Sequence, residues 1–345
     1  MNERIIKAGI SQGDTNGTSY EMILKMFDNT HIFETCIPIV YGSSKILAYH
    51  RKVLDLQSVN VSNINRAEDA GSNRLNMINV VSEDLLVELG NPTPASAQAA
   101  DIALVRALDD LKAGTIDVLI AAPSEIDPAP VAELKTAHEK KSLKIVTNDS
   151  FRLALATGNV PLAEVPSLLT ADSLTGKIIA LRDSLIRDFQ VTLPRIAVLA
   201  LNPAGKEENI TSAAVQAASN AGVQCFGPYA ADDFFASDRH RKFDAVLAMY
   251  HDQGMIAFKT LTSEDHALFI GNLPHIITAP NLPAAFEKAG KNETSPEALQ
   301  KALHLAIDIY RNRKTDREIN SNPLKKQYFD RGSDNEKLDL TKEDI

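Results

Sequence analysis

Apolar residues in this chain fall into short runs that alternate with longer stretches of helical spacing, a pattern that predicts strands exchanging with helices. Ile5–Ile10, Ile37–Tyr41, Leu75–Val81, Asp117–Ala121, Arg195–Leu201 and Asp244–Tyr250 have the length and apolar content of buried strands. Ser142–Val146 and Phe151–Thr157 read as two more, joined by the turn residues Asn148 and Asp149, and Leu268–Ile270 reads as a further short strand. Helices are predicted around Ile23, Leu24 and Phe27, after a cap at Ser43 or Ser44, over Ser96–Leu111 with Gly114 as the stop, and over Asp172–Phe189. Thr211–Ala221, Pro283–Ala289 and Pro296–Arg311 complete the helical set. From Lys314 onward the chain is polar and weakly patterned, which predicts an extended or partly disordered tail.

Alternation of this kind implies an α/β fold with a mostly parallel sheet, layered α/β/α, in one large lobe or two linked ones. Ligands of such sheets sit beyond the carboxyl ends of strands, which selects the loops near Gly13, Pro123, Gly158, Asn202 and His251. A length of 345 residues suits two domains, and 44% apolar with 23% charged residues supplies an ordinary core. The formal charge of −9 without a basic stripe argues against nucleic acid as a partner. Arg311–Arg317, the densest basic cluster, is broken by Asp316 and reads as a solvated helix end. No run reaches the roughly 18 apolar residues of a membrane span, and the first residues lack a secretory apolar segment, so a cytoplasmic protein without membrane contact is expected. Cys36 and Cys225 are too few for a disulfide framework or a four-thiolate zinc site and read as buried reduced thiols.

Candidate chemistry is sparse. Gly13 and Gly17 match neither a dinucleotide fingerprint nor a P-loop, so they serve a turn or a close backbone approach. His251 directly follows a buried strand, where an imidazole can ligate a metal, act as acid or base, or be a hydrogen-bonded structural group. Asp252 can orient that ring or cap a helix, and Lys259 can add positive charge to the same pocket. No His-x-x-x-His pair is present, and His304, beside Leu303 and Leu305, reads as structural. Neither a Gly-x-Ser-x-Gly elbow nor a Cys/His pairing suggests a covalent nucleophile.

Four segments together carry a resemblance. They are Gly13-Asp14 with Asn16-Gly17, Leu201-Asn202-Pro203, Gly227-Pro228 with Ala231-Asp232, and the octapeptide Leu247–Gly254. The chain resembles the 4-hydroxythreonine-4-phosphate dehydrogenase (PdxA) family from about residue 5 to residue 312, leaving 313–345 as a polar tail. The resemblance implies a two-lobed fold like isocitrate and isopropylmalate dehydrogenases, a central cleft and a homodimer. It also implies oxidation of a small phosphorylated substrate by NAD(P), followed by decarboxylation. A divalent metal (Zn, Mg or Co) held by three histidines supplies Lewis-acid chemistry in that family.

Carried over by position, the resemblance makes His251 the metal ligand. Asn159 stands where the family has its second histidine, and His138 lies in the shortened segment that should carry the first. Lys259 matches the phosphate-binding lysine and joins Asp232 and Asp252 as the candidate catalytic groups. Asn272 and Asn281 are the candidate cofactor contacts. The family's phosphate-site Asn and Arg align with Leu268 and Ile277, and its Asp-His-Gly aligns with Asn281-Leu282-Pro283. Three readings follow: a divergent dehydrogenase, a non-catalytic ligand-binding or regulatory paralogue, and an enzyme of different chemistry on the same fold.

Overall fold

All nine strands predicted from apolar runs enter one twelve-stranded sheet. The structure is a computed structural model that describes residues 5–56, 58–82, 84–136, 142–148, 151–203, 208–262 and 266–321. Its strands are β1 (Ile6–Ser11), β2 (Cys36–Gly42), β3 (Val61–Ile64), β4 (Leu75–Asn79), β5 (Val118–Ala121) and β6 (Leu143–Thr147). They continue as β7 (Arg152–Leu155), β8 (Ile196–Leu199), β9 (Cys225–Tyr229), β10 (Ala245–Ala248), β11 (Ala267–Gly271) and β12 (Ile277–Pro280). The sheet order is β3-β4-β2-β1-β5-β12-β11-β6-β7-β10-β8-β9.

The first six strands of that order are parallel, and so are the last four. Antiparallel pairings of β11 with β12 and β6, and of β6 with β7, join the two blocks. Three reversals between the blocks make them run in opposite directions. The mostly parallel α/β architecture is thus as the alternation implied.

Helices α1 (Ser19–Asp28), α2 (Ser44–Val53), α3 (Pro94–Ala113), α4 (Pro128–Thr136) and α5 (Val165–Leu168) belong to the first half of the chain. Then come α6 (Ala171–Arg187), α7 (Glu208–Asn220), α8 (Ala231–Ala236), α9 (His251–Leu261) and α10 (Glu297–Ser321). Because strand side chains alternate between faces, the sheet has two distinct sides. One side packs a continuous apolar cluster beneath α1, α6, α7 and α10, through Ile10, Ile120, Ile145 and Leu247. The other side is split. Leu119, Ile270 and Ile277 pack with α3 and α4, whereas Val146, Leu155 and Ala248 pack with α8 and α9. Leu268 touches both clusters and marks the floor between them.

Several expectations need correcting. Pro283–Ala289 is not an α-helix. Only Phe286–Lys288 makes a 3₁₀ turn, because Ala285 has φ 48° and the Ala284 carbonyl is held by Thr18. α10 runs past Lys314 to Ser321, so that part of the expected tail is helical. Arg313 is no solvated helix end. It is 7% exposed and donates to the fully buried Asp188 at 2.6 Å. β3, β9 and β12 were not legible in the sequence, being short, or broken by Gly227-Pro228 in β9. Cys36 and Cys225 are buried free thiols, as expected, and burial pushes the Cys36 thiol up to about 12. No helix among the described residues is long and apolar enough to cross a membrane.

Candidate functional site

The octapeptide that ends at Gly254 closes the carboxyl end of β10 and opens α9. His251 is the first residue of that helix rather than part of a loop. Two neighbours explain the local sequence. Gln253 accepts from the Met249 N–H at 2.8 Å and donates to the Ala200 carbonyl at 2.7 Å, tying the β10–α9 turn to the end of β8. Gly254 lies against β7 and β10, where a Cβ would come within 2.8 Å of Leu153 Cδ2 and 2.9 Å of Ala248 Cβ. The most specific segment of the chain is therefore largely architectural, and it presents His251 at a fixed place.

His251 is half-buried. Burial is the main cause of its lowered pKa, the charges of Lys259 and Lys144 lower it further, and Asp252 opposes them. The ring is accordingly neutral near pH 7, a state that can accept a proton or ligate a cation. Lys144 is the residue that sequence reasoning missed. It lies on β6 opposite Ile270, on the sheet face that carries Val146 and Leu268. It is paired with Asp127, just before α4, so a carboxylate from one side of the gap meets an ammonium on its floor. A short strand with one lysine among apolar residues was the available signal. It reads as an ordinary edge until the sheet order puts β6 at the centre.

The other predicted residues disperse. Lys259, exposed on α9, acts on His251 through its charge. Asp232, in the first turn of α8, and Asp252, in that of α9, line a cavity of about 630 Å³ with Asn202 and Tyr250. Neither His251 nor Lys259 lines it. Asn159 is exposed just beyond β7, whose end is tied to β10 by two bonds from Thr157 to the Met249 carbonyl, at 3.2 and 2.9 Å. His138 lies outside the described residues.

Asn272 and Asn281 do not form one contact set. They flank the β11–β12 pair at opposite ends, Asn272 beside α6 and Asn281 bonded through its N–H to the His266 carbonyl. The Asn281 side-chain nitrogen is buried with no hydrogen-bond partner among the described residues.

The first loop resolves in favour of a turn. Asp14 accepts from the Asn16 N–H and from Ser96, Asn16 bonds Asn91, Thr93 and Glu88, and Thr18 bonds the Ala284 carbonyl. Gly13, at φ +67°, would set a Cβ 2.4 Å from the Pro123 carbonyl oxygen. These polar groups are spent on holding the loop.

A metal centre of three imidazoles does not fit the described residues. No group of three or more His, Cys, Asp or Glu side chains converges among them. Asn159 offers an amide oxygen, a poor substitute for imidazole toward zinc-like ions. Of the two residues that the resemblance aligns with a phosphate-binding Asn and Arg, Leu268 faces the gap as an alkyl group and Ile277 is fully buried in the core beneath α3 and α4. What the gap does offer is a neutral imidazole with the exposed Lys259 and the Asp127-paired Lys144 near it, and the Lys259 ammonium suits an anionic oxygen.

Comparison with known proteins puts a family to this arrangement. The family described as pyridoxal phosphate biosynthetic protein PdxA matches residues 34–306. A 4-hydroxythreonine-4-phosphate dehydrogenase of Bacteroides thetaiotaomicron is 40% identical, over 99% of this chain and 98% of that protein. The enzyme of the same name from Prosthecochloris aestuarii is 31% identical, over 87% and 96%. The crystal structure of 4-hydroxythreonine-4-phosphate dehydrogenase from Klebsiella pneumoniae superimposes with a TM-score of 0.76 at 23% identity, covering 90% of this chain and 99% of that one.

Proposed function

Since the chain belongs to the PdxA family of pyridoxal phosphate biosynthetic proteins, we propose that it keeps the family's cleft as a binding site for a small phosphorylated ligand, with the metal- and NAD(P)-dependent oxidation impaired or altered. The observation that carries this reading is the side-chain set around His251. One imidazole is accompanied by Lys259 and Lys144, while Asn159, Leu268 and Ile277 stand where the family has a metal histidine and its phosphate-binding pair. Replacing a guanidinium by an alkyl chain removes charge-assisted hydrogen bonds of roughly 1.5–3 kcal/mol each. The exposed Lys259 ammonium still favours an anionic ligand, while Lys144 is already paired with Asp127. The protein acts in the cytoplasm as a homodimer on this reading, and nucleic acid and membrane are not its partners.

A working 4-hydroxythreonine-4-phosphate dehydrogenase is the second reading, favoured by 40% identity across nearly the full length of a relative with that name. Purified protein, supplied with zinc or magnesium, NAD and 4-phosphohydroxy-threonine, distinguishes them by NADH formation, with metal content measured after dialysis. Binding of the phosphorylated substrate in calorimetry without NADH formation supports the first reading. Turnover that is lost in His251→Ala, with stoichiometric metal, overturns it.

A further inference from the structure

A second cavity, of about 560 Å³, lies between the start of β7, the end of α6 and one face of α10. Arg152 reaches it from the first position of β7 and Phe189 from beyond α6, and α10 contributes Lys301, His304 and Leu305. The arginine is unusual. Its guanidinium lies 4.8 Å from the centroid of the Phe189 ring, its Nε is buried without a partner, and no hydrogen bond or ion pair joins it to a described residue. Burial lowers its pKa, and Asp244 opposes this through its charge alone.

The carboxylates beside the cavity do not answer it. Asp188 is fully buried and accepts from both Arg187 and Arg313. Asp308 is exposed and lies 3.8 Å from Arg311. A half-buried cation whose counter-charge acts only at a distance is unfavourable unless something pairs with it directly. Phe189 and Leu305 give the same cavity an apolar wall that suits an organic body.

We propose that this cavity is a binding site for a small organic oxyanion, a phosphomonoester or a carboxylate, held by Arg152 and Lys301 with its carbon skeleton against Phe189. The site is separate from the His251 cleft. Arg152 opens β7 on the face that packs against α6 and α10, whereas His251 lies beyond the other end of that strand and starts a helix on the opposite face. It stands independently of the proposed function.

Phenyl phosphate and phenylacetate titrated into the full chain by calorimetry test the site, with Arg152→Gln and Lys301→Gln as variants. The tighter of the two probes identifies the oxyanion. Arg152→Gln should weaken its binding by roughly tenfold or more, the loss of one charge-assisted contact. Lys301→Gln should weaken it several-fold. Lys301→Gln carries the test if Arg152→Gln does not fold. Failure of both probes to bind overturns the proposal, and so does binding that survives both variants undiminished.

Discussion

Gln253→Leu isolates what the most specific segment of the chain does. The Gln253 amide satisfies two backbone groups, the Met249 N–H at 2.8 Å and the Ala200 carbonyl at 2.7 Å, and both residues are buried. Leucine keeps the approximate volume and removes both partners. Each orphaned group contributes roughly 1–3 kcal/mol of destabilisation, so a loss of about 2–6 kcal/mol is expected. In a large domain this lowers the melting temperature by roughly 2–4 °C per kcal/mol. Urea unfolding followed by circular dichroism measures the loss directly. Gln253→Glu adds a finer test, since it keeps an acceptor for Met249 but turns an oxygen toward the Ala200 carbonyl. It should destabilise at least as much as leucine at neutral pH. A loss below about 0.5 kcal/mol in Gln253→Leu, the scale of ordinary surface substitutions, would refute the assignment of this glutamine as the clamp between β8 and β10.

Other perturbations test the remaining structure. Gly254→Ala places a methyl group within 2.9 Å of Leu153 and Ala248, so calorimetric unfolding should show about 1–3 kcal/mol of overpacking. Arg313→Met leaves the buried Asp188 with Arg187 alone and should lose roughly 2–4 kcal/mol in urea unfolding, with Asp188→Asn in the same chain recovering part of it. Burial lowers the pKa of His50 from 6.5 to about 4, so the unfolded chain takes up a proton before the folded one does. Stability should therefore fall as pH drops from 6.5 to about 4, by at most roughly 3 kcal/mol, and His50→Phe should flatten that limb of the stability profile. Asn159→His puts an imidazole two residues beyond Thr157, which bonds the Met249 carbonyl two residues before His251, and on the proposed reading should tighten zinc binding over the parent in competition with a chromophoric chelator. Equal affinity would show that Asn159 does not face the same point.

The cleft could be read from sequence only in part. His251 and Lys259 were legible because both belong to one helix, about two turns apart, so the lysine's charge reaches the imidazole along the helix. Lys144 and Asp127 were not, because their neighbourhood to His251 depends on β6 sitting beside β7 and on α4 covering the adjacent half of the sheet. Asn272 and Asn281 are only nine positions apart in the chain, yet the β11–β12 pairing puts them at opposite ends. Arg313 was misread for a related reason. Its partner Asp188 is 125 residues away, and no local pattern announces a buried ion pair.

Hydropathy alone determined the strand–helix alternation and the nine strands of strongest pattern, since a buried strand or an amphipathic helix records its own burial in the spacing of its apolar residues. Sheet order, the reversal of the two parallel blocks, the split of one face into two packed clusters and the unpaired Arg152 were decided by tertiary structure. Each of these depends on which distant segments exclude water together. That is a property of pairs of segments, and the period of any single segment does not encode it.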